Sequence, residues 1–231
     1  MPQAVDTVNM VRRATQRGLK ERGYHHGNLR EALVEAGVEL ARTGGPNAVL
    51  LRAVTRDAGV SPNAAYRHFA NQEDLLAAVA ERCMSQLSLL MLERMSRVTA
   101  RNRVRRAQAR LEAIGRAYID FARAEPGWFR TAFSAARPDH VDGSATEPAH
   151  PQGTDAEPIP NPYDVLSAGL DELVEVGALT HERRVGAEYA AWSGVHGLSS
   201  LLLDGPLREL PEPEIERAIS TVLAVIKRGL A

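Results

Sequence analysis

Gly59-Val60-Ser61-Pro62-Asn63-Ala64-Ala65-Tyr66-Arg67-His68-Phe69 is the stretch on which the fold turns. A glycine that reaches the left-handed region without steric cost closes one helix at Gly59. Ser61 can accept the first free N–H groups of the next helix, and Pro62 suits its first position, where a missing N–H costs nothing. The spacing predicts a helix from Pro62 to about Phe69. Ala65 and Phe69, four apart, turn inward together, which leaves Pro62, Asn63, Ala64 and Arg67 outward.

Working outward, Asn28 can cap a helix whose Leu29, Leu33, Ala36 and Leu40 share one face, with Gly44-Gly45-Pro46 ending it. A short helix follows from about Leu50 to Ala58, with Leu51, Val54 and Ala58 inward and Arg52, Thr55 and Arg56 outward. Its start offers no side-chain oxygen at Val49-Leu50-Leu51, so either Asn47 caps from further out or the first turn frays. Asn71 caps a fourth helix with Glu73 and Asp74 in its first turn, and Leu75, Leu76, Val79, Cys83, Leu87, Leu90 and Met91 carry its apolar face towards Met95. Two short helices joined by a glycine turn and bracketed by longer ones form a helix-turn-helix in a small bundle.

The rest is helical in a different style. Val104 to Ala124 carries Leu111, Ile114, Tyr118 and Phe121; Glu125-Pro126-Gly127 interrupts it, and Trp128, Phe129 and Phe133 follow on a short aromatic helix. Residues 136–162, rich in Pro, Gly and Asp, are expected to be a mobile loop. Helices resume over Tyr163–Val176, His181–Leu203 and about Glu212–Leu230. The run Arg94, Arg97, Arg101, Arg103, Arg105, Arg106, Arg110 reads as a solvated face. The expectation is an all-α protein: a flexible basic arm (1–23), a three-helix helix-turn-helix domain (24–72), and a larger helical domain for effector binding and dimerisation (73–231).

Charge agrees with that division. Residues 1–70 hold ten Arg or Lys and six Asp or Glu, a net of +4, so the remaining residues carry −5 of the total −1. A basic end on an acidic body suits a polyanion-binding head. The single cysteine, Cys83, cannot form an internal disulfide and fits no zinc spacing. No apolar run approaches the roughly 20 residues of a membrane span, and no signal peptide is evident, so a cytoplasmic protein without cofactor, metal or membrane partner is expected. Neither a nucleophile elbow, nor paired carboxylates in an apolar frame, nor a glycine-rich loop after a strand occurs, so an enzyme is not expected.

The segment VLLRAVTRDAGVSPNAAYRHFANQEDLLAAVAE, Val49–Glu81, resembles the TetR family of transcriptional regulators, with an AcrR-like helix-turn-helix head. The resemblance rests on Ala58-Gly59-Val60-Ser61, a tyrosine five residues after the serine, His68-Phe69, and an acidic residue with Leu75-Leu76 opening the next helix. Trp192, His196 and Gly197 are similar to the W-x-x-x-H-G element of one C-terminal subclass, and Tyr24-His-His-Gly-Asn-Leu-Arg30 to the start of that branch's first helix. The resemblance implies a homodimer whose heads, about 34–36 Å apart, read a palindromic operator in double-stranded DNA. It also implies a small-molecule effector that releases the DNA, with repression the common mode.

The expected DNA-facing set is Arg52, Thr55, Ser61, Pro62, Asn63, Ala64, Tyr66, Arg67 and His68. Asn63 and Arg67 suit bidentate contacts to adenine and guanine, and Pro62 and Ala64 suit thymine methyls. The resemblance assigns Tyr66 and His68 to phosphate, and Arg52 to bases or phosphate. For the effector the candidates are Met91, Met95, Tyr118, Phe121, Trp128, Phe129, Phe133, Trp192 and His196, each of which can equally be core. A surplus stripe with Leu198, Leu201, Leu202, Leu223 and Ile226 is expected to meet a symmetry mate. Gln72 stands where the family usually has a phosphate-touching lysine, a deficit that Arg12, Arg13, Arg17, Lys20 and Arg22 of the arm can make up. The alternative reading is a helical small-molecule-binding protein of the same fold without operator binding.

Overall fold

The computed structural model describes residues 29–134 and 159–230, and every regular element among them is helical. The basic arm, Asn28 and most of the loop expected at 136–162 lie outside the described residues. The head comprises α1 (Leu29–Gly44), a 3-10 turn (Pro46–Ala48), α2 (Leu51–Asp57) and α3 (Pro62–Ala65). The body follows with α4 (Gln72–Ser96), α5 (Arg103–Ala124), α6 (Pro126–Ser134), α7 (Pro162–Glu175), α8 (His181–Arg184), α9 (Ala187–Leu203) and α10 (Glu212–Leu230).

Local chemistry sets these boundaries. Gly45 and Gly59 take positive φ of 64° and 69°, which ends α1 and makes the turn before α3. Asn71 Oδ1 accepts the Asp74 N–H at 2.8 Å, and Asn102 and Asn161 cap α5 and α7 in the same way, so Pro162 opens a helix and is not loop. Leu50, at the N-cap of α2, is extended and offers no side-chain cap; Asn47 supplies none either.

α3 is shorter than the spacing predicts. After Ala65 the N–H groups of Arg67 and His68 bond three residues back, to Ala64 and Ala65. This tighter winding brings Phe69 into the head core, 2% exposed, ahead of the extended cap at Asn71. The helix expected over His181–Leu203 is divided: Gly186, at φ 74°, separates α8 from α9.

α4 explains its own composition. It is long and apolar enough to cross a membrane by length and composition, contrary to the run-length reading. The apolar side chains instead serve two cores: Leu75, Val79 and Cys83 join Leu33, Val54 and Phe69 in the head, while Leu87 and Met91 join Ile114, Leu170 and Ile219 in the body. The surplus stripe is also corrected: Leu198, Leu202 and Leu223 are buried within the chain, while Leu201 and Val225 stay exposed.

Candidate functional site

One candidate surface lies on the head. Ser61 Oγ accepts the Ala64 N–H at 3.4 Å and holds the start of α3. From there Pro62, Asn63, Arg67 and His68 are exposed, and the Tyr66 ring is 57% exposed, too open for core packing. Arg52 on α2 is exposed as well, and Ala64 is half-buried. Thr55 departs from the expected set: it is 2% exposed and its hydroxyl donates to the Arg52 carbonyl at 3.2 Å, so it faces the core. The one-turn offset from Leu51 puts position 55 beside Val54 on the buried side of so short a helix.

Between head and body lies a tight joint. The Trp128 indole N–H donates to the Val38 carbonyl of α1 at 2.8 Å, and the Arg42 guanidinium stacks on the ring 4.9 Å from its centroid. Arg42 also donates through Nε to Glu125 at 2.8 Å, with a second contact to the same carboxylate. Gly127 is there because nothing larger fits: a Cβ would press on the carbonyl oxygens of Ala41 and Arg42 and lie 2.7 Å from the Arg42 carbonyl carbon. Trp128, expected at the effector, is therefore a fastener of α6 to α1.

The second candidate site is a cavity of about 850 Å³, counting its open mouth, between α4, α5, α6, α7, α9 and α10. Of the expected residues it is lined by Met91, Tyr118, Phe133 and Trp192. Met95, Phe121, Phe129 and His196 do not line it. Phe121 and Phe129 are buried in the body core, and Met95 packs against that core from the end of α4. His196 stands behind the wall, where the T-shaped Phe133 ring, 4.8 Å away, screens it.

Polar groups at this inner end satisfy one another. The Trp192 indole donates to the Tyr118 hydroxyl at 3.1 Å, and Tyr118 Oη lies 2.8 Å from His196 Nδ1. With the indole proton accepted, the hydroxyl is free to donate to Nδ1, which keeps the imidazole proton on Nε2. Burial lowers the His196 pKa and raises that of Tyr118, so both are neutral.

Beyond the aromatic residues, the cavity has an aliphatic wall and a polar end that the sequence pattern did not mark. Gln108, Leu111, Glu112, Gly115 and Tyr118 form one stripe of α5, facing Leu166 and Leu173 of α7, Val195 of α9, and Ile226 and Lys227 of α10. Gly115 in mid-helix was the available signal: a Cβ there would come within 2.7 Å of Leu223. Among the described residues no cluster of metal-ligating side chains occurs, and burial pushes the Cys83 thiol up to about 12, so it is not a nucleophile.

Comparison with known families decides the class. Residues 111–226 match the tetracyclin repressor-like C-terminal domain, and residues 33–79 match the bacterial regulatory proteins of the tetR family. The chain belongs to the TetR family. It is thus a helix-turn-helix, DNA-binding transcription regulator with a ligand-binding C-terminal domain, in a family of non-enzymatic factors where homodimers are typical.

Solved TetR-like structures share the fold. A protein of unknown function from Rhodococcus sp. RHA1 is 24% identical, covering 91% of this chain and 100% of that one, at a TM-score of 0.62. A TetR variant from Acinetobacter baumannii in complex with minocycline is 17% identical, covering 90% and 96%, at 0.55. FadR from Bacillus subtilis in complex with stearoyl-CoA is 13% identical, covering 87% and 99%, at 0.56. No curated protein matches this TetR-family chain by sequence.

Proposed function

We propose that this regulator is a cytoplasmic, homodimeric repressor that binds a palindromic operator through α3 and leaves it when a small, largely apolar molecule enters the body cavity. The observation that carries the reading is that one nine-residue helix serves both places. α6 lends Phe133 to the cavity wall and Trp128 to the bond with Val38 of the head. A ligand that displaces Phe133 therefore acts on the element that sets the angle of α1. Minocycline and stearoyl-CoA in the neighbouring structures are precedents for small-molecule occupants of this fold.

In this reading the head comprises residues 24–72 and the body 73–231, with α4 shared between their cores. Asn63 and Arg67 read base edges, Pro62 and Ala64 meet thymine methyls, Ser61 fixes the register of α3, and Arg52, Tyr66 and His68 position the head on phosphate. The two heads then sit about 34–36 Å apart. The exposed Leu201 on α9 and Val225 on α10 mark the isologous interface. The head is AcrR-like and the body belongs with the W-x-x-x-H-G subclass, where the Trp192–Tyr118–His196 chain gives two of the three motif residues a structural purpose.

A mobility-shift assay with duplex from around the protein's own gene tests this. Nanomolar binding that weakens tenfold or more in both Arg67→Ala and Tyr66→Ala is expected. Equal, weak affinity for any duplex at physiological salt would instead favour the ligand-binding protein without operator function.

A further inference from the structure

The inference rests on the cavity as the effector site and concerns what it selects. Its two ends differ in chemistry. At the inner end the Tyr118 hydroxyl is already engaged by Trp192 and His196, so Tyr118 and Trp192 offer a ligand ring surface, and Tyr163 extends it with its ring 6.0 Å from that of Trp192. At the other end Gln108, Glu112 and Lys227 line the space among Leu173, Ala178 and Leu230. From Gln108 to Tyr118 is ten residues of α5, a length of about 15 Å at 1.5 Å per residue. The cavity thus fits an extended apolar body with one polar end, and that end belongs beside Gln108 and Lys227.

Charge decides the sign of that end. The Lys227 ammonium lies 3.6 Å from Glu112, both side chains about half-exposed, a loose pair that an incoming group can exchange. One turn before Gln108 on the same face stands Arg105, which pairs with no carboxylate among the described residues. Around it, Arg101 stands just before α5, the first half of α5 carries Arg103, Arg106 and Arg110 against the single acid Glu112, and α10 adds Arg228. Arg110 is engaged by Glu172 at 2.9 Å; the others pair with no carboxylate among the described residues and set a positive field.

We propose that the effector is an anionic amphiphile, with its acidic group held by Lys227 and Gln108 and drawn in by Arg105, and its apolar body extended along α5 towards Tyr118. The arginine run, read from sequence as a solvated face, becomes the approach to the mouth.

Three probes of equal length separate the possibilities: dodecanoate, dodecanol and dodecylamine, titrated into the full chain by calorimetry. Dodecanoate is expected to bind about tenfold more tightly than dodecanol, the scale of one charge-assisted contact, and dodecylamine most weakly. Lys227→Met removes the advantage of dodecanoate over dodecanol, and Lys227→Arg retains it; the residue is half-exposed, and an unchanged Tm verifies the fold. Tightest binding by dodecylamine, equal affinities, no binding by any probe, or no effect of Lys227→Met overturns the proposal. Such results leave the repressor reading intact, whereas a failed mobility shift strikes that reading and not these affinities.

Discussion

The head and the body solve opposite problems with similar helices. In the head Leu33, Val49, Val54, Ala65, Leu75 and Val79 are fully buried between α1, α2, α3 and the first half of α4. In the body Leu111, Leu166, Val195 and Leu223 keep 6–9% of their surface open, and the space they line is the cavity. A solid core presents function on its outside, in side chains such as Arg67 and Tyr66 that contribute nothing to packing. A hollow one presents function within, at the expense of contacts that a filled core would make. Side chains that close on one another, three valines and an alanine among them, suit the first, and side chains standing around Gly115 suit the second.

The joint between the regions is where this contrast breaks most easily. Gly127→Val is expected to cost about 3 kcal/mol or more, because the obstruction is main chain on α1, which cannot rotate away. Thermal unfolding would show a large fall in Tm, and any folded remainder would bind operator poorly because α6 no longer sets α1. Gly229→Ala, where a Cβ meets nothing within 4 Å, is the control and should leave Tm unchanged or slightly raised, because alanine favours the helix more than glycine. A wild-type melting curve for Gly127→Val would mean that head and body are not docked as described.

Next in size is a direct comparison of the two cores. Leu33→Ala in the head should cost about 2–5 kcal/mol, since its neighbours cannot collapse into the void. Leu166→Ala, on the cavity wall, should cost roughly half as much, because one side of that leucine already faces space. Urea midpoints with unchanged m-values give both numbers. Equal costs would show that the cavity is filled in solution, by rearranged side chains or by a retained ligand.

How far the sequence foretold this follows from the range over which each signal acts. Capping and turn chemistry is local, so Gly59, Ser61, Pro62 and Asn71 marked the turn and the helix starts correctly. The buried pair Ala65 and Phe69 followed from spacing alone. Thr55 did not, because in a seven-residue helix the inward arc is wide enough to take a residue that the polarity of its hydroxyl would place outside. At the cavity, aromatic identity was a poor guide: Trp128 and Phe133 lie five apart on α6, and only the fold reveals that one faces α1 and the other the void. Lys227 was invisible as a cavity residue because its partner Glu112 is over a hundred positions away. Leu198, Leu202 and Leu223 read as surplus because periodicity shows that a face is apolar, not which neighbour covers it.

The smallest effect expected is in pH, and it separates the hollow region from the solid one. Burial lowers the pKa of His196 in the folded chain below its ordinary 6.5. Above pH 6.5 the imidazole is neutral whether the chain is folded or not, and the full stability is present. As pH falls below 6.5 the unfolded chain takes up the proton first, so stability declines until the folded group also titrates. Protonation would also turn Nδ1 from acceptor to donor and leave the Tyr118 hydroxyl proton without its partner. Asp204 is held low by Arg130. Against burial, which acts the other way, Glu188 is held low by its own N–H, Ser167 and Arg184, so both carboxylates keep their contribution above the ordinary carboxylate range and lose it as pH falls through that range and below. Among the described residues, the window from pH 6.5 to 5 therefore isolates His196. Tm should drop across it in the wild type and stay nearly level in His196→Gln, which carries no titrating group. Parallel slopes in the two proteins would show that the proton goes elsewhere, and that the polar seal behind Phe133 is not what holds this wall of the cavity in place.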